Sequence, residues 1–141
     1  MSFDWDEYLN LAKELAKEAG PIPCDEARAR ASVSRAYYAV FHNSLSLIEK
    51  YGGLPKDQIS MHSFVKTWFF DKGRKIRALK EIGELFKNLK DDREHADYHG
   101  VLPPDSLDID NEKAVQVIVD SEEAIRKIKH FNSLLKTSPT P

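Results

Sequence analysis

An all-α fold, a single up-and-down bundle of about five helices, is what this sequence predicts, and three observations predict it. Apolar residues recur every three or four positions through five separate stretches. Each stretch is bounded by capping residues or by glycine and proline. No stretch alternates with the two-residue period of a half-buried strand, and no repeat or low-complexity tract breaks the pattern.

The first helix is expected over Phe3 to Ala19, with Trp5, Tyr8, Leu9, Ala12, Leu15, Ala16 and Ala19 at helical spacing, and Gly20-Pro21 stops it. After Pro21-Ile22-Pro23, Asp25 can cap a second helix from Glu26 to Tyr51, closed by Gly52-Gly53. Ala36, Tyr37, Val40, Phe41, Ser44, Leu45, Leu47 and Ile48 cover more than half its circumference. A helix apolar so far round belongs at the centre. Ser60 can cap the third, through Phe64, Val65, Trp68 and Phe69 and ending before Gly73. The fourth starts near Lys75 and ends at about His99, where Gly100 and Pro103-Pro104 follow. Residues 101 to 109 read as a loop. Asp110 can cap the last helix, through Val115, Val117, Ile118, Ala124, Ile125, Ile128, Phe131 and Leu135, leaving residues 137–141 as a disordered tail to a domain spanning 1–136.

At 141 residues the chain holds one domain with a proper core. Its formal charge is −2 with 31% of residues charged, so no broad basic surface announces nucleic acid, and any RNA contact has to be local. A single cysteine, Cys24, excludes an internal disulfide framework, and without a matching His and Asn context it reads as incidental. No apolar run approaches the roughly 20 residues that cross a membrane, and the opening Met-Ser-Phe-Asp-Trp-Asp-Glu is too acidic for a secretory signal. A cytoplasmic protein with no membrane partner is the expectation.

The fourth helix carries the anomaly. Leu79, Ile82, Leu85, Phe86 and Leu89 share one face, and Arg93 falls in the middle of it. A side chain charged at any accessible pH is rarely set there unless it meets a partner, a subunit or an anionic ligand. Asp97, one turn on, can pair with it. His99 would point about 120° away on a straight helix. It can converge with Arg93 through a loosened last turn or across a dimer axis, and the sequence does not choose. Arg77, Lys80 and Lys87 lie on the opposite side and read as a solvated face, the alternative being a phosphate track.

Two segments together resemble a known family. Ala31-Ser32-Val33-Ser34-Arg35-Ala36-Tyr37-Tyr38-Ala39-Val40-Phe41-His42 is similar to the central-helix signature of HEPN domains, the helical family named for higher eukaryotes and prokaryotes nucleotide-binding. Arg93 to Tyr98, as Arg-x-x-Ala-Asp-Tyr, resembles the second signature of its small prokaryotic branch, and Met61-His62-Ser63-Phe64-Val65 weakly echoes a third segment. The resemblance implies a homodimer with its site where two subunits meet. Arg93 and His99, with five residues between them, match the arginine and histidine of a metal-independent endoribonuclease. It further implies a toxin controlled by a small nucleotidyltransferase antitoxin. Where many toxin members carry a tyrosine two residues after the histidine, this chain has Val101.

The chemistry stands on its own. RNA supplies its 2′-hydroxyl as nucleophile, so the protein needs a group of near-neutral pKa to move a proton and a fixed cation for the charge growing on phosphorus. His99 suits the first role and Arg93 the second. Asp97 would orient Arg93, His95 is either a second proton carrier or simply exposed, Tyr98 is the nearby tyrosine, and the hydroxyls of Tyr37 and Tyr38 need partners, with Arg93 a candidate. Against this stands a non-catalytic module whose groove binds a nucleotide or a nucleotidyltransferase, or a dimer seam in which Arg93 meets Asp97 or a second subunit's Asp92. His95 and His99 have a zinc-capable spacing but no third ligand, so neither metal nor cofactor is expected. His42 reads as a packed, hydrogen-bonded histidine, His62 as a helix-start residue able to line the same groove, and His130 as a surface residue suited to a helix C-terminus.

Overall fold

The computed structural model describes residues 3–17, 25–52, 60–98 and 111–137, without the side chains of Asp25, Glu26, Tyr98, Asn111, Lys136 and Thr137. Five helices make up the fold, α1 (Asp6–Lys17), α2 (Asp25–Tyr51), α3 (Met61–Gly73), α4 (Arg77–Tyr98) and α5 (Asn111–Thr137), and no strand occurs among the described residues. The protein is an all-α bundle. As its wide apolar surface requires, α2 is central and touches each of the other four helices. None of the described helices is long and apolar enough to cross a membrane.

The core runs along α2 through Val33, Ala36, Tyr37, Val40, Leu47 and Ile48, faced by Leu79, Ile82, Phe86 and Leu89 of α4 and by Val117, Ala124 and Ile128 of α5. Two of its buried hydroxyls have carbonyl acceptors, Ser32 donating to Ala12 at 2.7 Å and Ser44 to Val40 at 2.8 Å, while the buried Ser121 Oγ of α5 has no partner among the described residues. A buried hydroxyl without such a bond would destabilise by about 1–3 kcal/mol.

Element ends differ from expectation for identifiable reasons. α1 begins at Asp6, not Phe3, because the Asp4 side chain accepts the Asp6 amide at 3.0 Å and ends the helix there. Phe3, Trp5 and Tyr8 then stack edge to face with one another. α3 is capped by Ser60, whose Oγ accepts from the Ser63 amide at 3.4 Å, and it runs through Gly73. The amides of Lys75 and Ile76 still bond back to the Lys72 carbonyl at 3.2 and 3.1 Å, which delays α4 to Arg77. Gly73 is needed at this corner, since a Cβ there would lie 2.7 Å from the Lys80 Cα.

On α5, Val115 is 47% exposed, not buried as expected. The inward stripe is Ala114, Val117, Ile118, Ser121, Ala124, Ile125 and Ile128, and Val115 shares the outer side with exposed Val119, one turn on. α5 reaches Thr137, one residue into the expected tail, and the caps proposed at Asp25 and Asp110, with the loop at 101–109, fall outside the described residues and side chains. Ion pairs tie the bundle at its rim: Lys127 of α5 to Glu81 of α4 at 3.0 Å, Lys113 to Asp92 at 3.0 Å, and Lys129 to Asp6.

Candidate functional site around Arg93

Arg93 lies in the core stripe of α4 and is 8% exposed. Its one hydrogen bond of ordinary geometry among the described residues is long, from Nη1 to Asp97 Oδ2 at 3.4 Å, and its buried Nε has no partner. Two rings of α2 hold it. The guanidinium carbon is 5.3 Å from the ring centre of Tyr37 and 5.8 Å from that of Tyr38, each contact worth about 0.5–2 kcal/mol. Burial works against the charge, but the Tyr38 and Tyr37 hydroxyls and the Asp97 carboxylate outweigh it and hold the guanidinium pKa above its ordinary value.

The Tyr37 hydroxyl pairs not with Arg93 but with His62, the second residue of α3, at 2.6 Å from Nδ1. Burial raises the Tyr37 pKa strongly, although Arg93 pulls the other way, so the phenol keeps its proton. Burial first, then the positive charges of Arg93 and Lys90, lowers the His62 pKa and keeps the ring neutral. In that state the ring carries a single proton, and the bond to the phenol decides which nitrogen holds it. His62 also stacks on Phe41, with ring centres 4.2 Å apart and planes 15° apart. Lys90, nearby, is taken up by Glu94 at 2.6 Å.

The sequence thus placed Arg93, Asp97 and Tyr37 in one cluster, and the structure brings them together. His95, two residues on from Arg93, lies on another side of α4. Its carbonyl and that of Ala96 accept from Arg30 Nη1 at 3.2 and 2.7 Å, which holds the last turn of α4 onto α2. His99, Val101 and the Tyr98 side chain lie outside the described residues and side chains. Asp92 binds Lys113 within the same chain, at 3.0 Å.

His62 is a helix-start residue as expected and also lines the cluster, through a tertiary pairing with Tyr37, 25 positions away. His42 is packed as expected, but its neighbour is the Trp5 ring, 3.4 Å away between centres and 9° from parallel, and burial lowers its pKa. Arg77, Lys80 and Lys87 are exposed. Arg77 and Lys80 line a hollow of about 770 Å³ at the α3–α4 corner, apart from Arg93, where Arg74 is paired with Asp71 and Arg77 with Glu81. Among the described residues no three His, Cys, Asp or Glu side chains stand close enough to hold a metal ion.

The arrangement offers a rigidly held cation, a neutral imidazole fixed through a phenol, and half-exposed aromatic edges, which is chemistry suited to an anionic ester carrying planar groups. Comparison of the chain with family models and with curated proteins returns no match.

Proposed function

We propose that the protein is a HEPN-type homodimer that binds single-stranded RNA at Arg93 and cleaves it without a metal, as the toxin of a pair whose antitoxin is a small nucleotidyltransferase. The observation that carries the reading is the nine-tenths-buried Arg93, fixed by two tyrosine rings with a single long bond to a carboxylate. In the reaction the 2′-oxygen gives its proton to a histidine and forms a bond to phosphorus. The bond from phosphorus to the 5′-oxygen breaks, and that oxygen is protonated. The products are a 2′,3′-cyclic phosphate and a 5′-hydroxyl. Arg93 stabilises the charge on the non-bridging oxygens, and His99 moves the proton.

The test is cleavage of single-stranded RNA in chelator by the purified protein and by Arg93→Ala and His99→Ala. Loss in both variants is expected, and activity that survives both removes the reading.

A second reading rests on the Asp97 contact, which already gives Arg93 a carboxylate. In it the same face binds a nucleotide or the nucleotidyltransferase and cleaves nothing. Co-purification with that partner and intact RNA after incubation would favour it.

A further inference from the structure

Along α2, Arg35, Tyr38 and His42 stand at i, i+3 and i+7 and form one partly exposed stripe. Among the described residues, Arg35 is held by rings. Its guanidinium carbon is 5.3 Å from the centre of the Tyr8 ring and 5.9 Å from that of Tyr38, and among the described residues it makes no ion pair. Arg93 is 5.8 Å from the same Tyr38 ring. Tyr38 therefore sits between two guanidiniums, one without a carboxylate and one with a single long contact to Asp97. Around it are His42 and His62, with ring centres 6.4 and 5.9 Å from its own.

An arginine positioned by aromatic rings and not neutralised by an acid keeps its donors for an anion from outside. Cations alternating with aromatic edges are what single-stranded nucleic acid uses, the phosphates on the charges and the bases on the rings. An acidic protein segment would engage the guanidiniums and leave the tyrosine and histidine edges without a role. The near-neutral remainder of the chain, at −2 overall, makes this local site the more selective.

We infer that Arg35 is a second phosphate subsite, so that neighbouring phosphates of one RNA strand lie across Tyr38, one on Arg93 and the next on Arg35. The inference rests on the reading that Arg93 takes a phosphate. It needs no cleavage, and it is tested without any. The probe is a fluorescein-labelled 2′-O-methyl oligouridine, which lacks the attacking hydroxyl, titrated with full-length protein in chelator over a series of salt concentrations.

Binding to wild-type protein should weaken with salt. Arg35→Gln should bind several-fold more weakly at low salt, and its log K against log salt slope should be shallower by about 0.7, the value for one phosphate contact on a single strand. Arg35→Lys should retain the slope. Tyr38→Leu should cost about ten-fold with the slope unchanged, because it removes stacking and no charge. Thermal melts of each variant confirm that the fold is intact. If Arg35→Gln matches wild type in affinity and slope while Arg93→Gln binds poorly, the second subsite is overturned and the Arg93 reading stands. If the wild-type protein binds no oligonucleotide, both fall.

Discussion

The Tyr37 hydroxyl and the His62 Nδ1 are 2.6 Å apart and join α2 to α3 through a fully buried phenol and a half-buried imidazole. Tyr37→Phe keeps the ring, and with it the packing on Phe86 and the Arg93 contact, but leaves Nδ1 without its hydrogen-bond partner. A loss of about 1–2 kcal/mol in urea unfolding is expected. The nitrogen chemical shifts of His62 should move from a single tautomer towards a mixture.

The two packed histidines give the fold a pH dependence of definite sign. His42 and His62 both have folded pKa values below their ordinary 6.5, so the unfolded chain binds the more protons between that value and the lowered ones. Stability is full above pH 6.5 and falls as pH drops through the window beneath it. The Asp6 carboxylate acts lower still. Burial would raise its pKa, but hydrogen bonds from Lys129 and Asn43 outweigh this and hold it below 3.8, so its contribution is lost only under strong acid. Melting temperatures from pH 8 to 5 should fall in wild type and fall less in His62→Gln.

Arg93→Met separates a structural from a functional arginine. Methionine fits the apolar stripe of Leu89 and Phe86, and Asp97, already partly exposed, is left to water. Removing one partner of a pair is costly when the other charge is stranded away from water, and the 31% exposed Asp97 side chain is not. Thermal unfolding within about 1 kcal/mol of wild type, together with complete loss of RNA cleavage, is the expected result. A large loss of stability would mark the guanidinium as a structural strut.

At the α3–α4 corner, Gly73→Ala would put a methyl group 2.7 Å from the Lys80 backbone, which cannot swing aside as a side chain would. A destabilisation of about 1–3 kcal/mol is expected from denaturant midpoints. The same change at Gly52, where nothing lies within 4 Å, should be mild and serves as the control.

Arg30→Ala removes the donor that bonds the His95 and Ala96 carbonyls. About 1 kcal/mol of stability should go with it. Amide exchange should accelerate in the last turn of α4 and not in its first.

Much of this was legible in the sequence because it is local. The Ser60 cap, the breadth of the α2 core face, the burial of Arg93 and its pairing with Asp97 all follow from positions within one or two helical turns. What was not legible depends on which helices meet. Periodicity placed Val115 inward because it counts apolar residues, whereas the neighbours of α5 decide which stripe is covered, and that stripe runs through Ala114 and Ser121. His62 reads in the sequence as a helix-start residue able to line the groove, and Arg35 only as part of the central-helix segment. They became part of the site only when α3 brought an imidazole to Tyr37 and α1 laid Tyr8 against a guanidinium.

The side chains around Tyr38 and Arg35 come from four separate stretches of chain: Tyr8 of the first helix against Arg35, Arg35 of the second, His62 of the third and Arg93 of the fourth against Tyr38. Whatever settles there staples all four at once, and it can do so only while they are docked. Occupancy and folding are therefore thermodynamically linked, and an oligonucleotide at a hundred times its dissociation constant should raise the unfolding free energy by about 2.7 kcal/mol. A melting curve thus doubles as a test of the proposed strand binding.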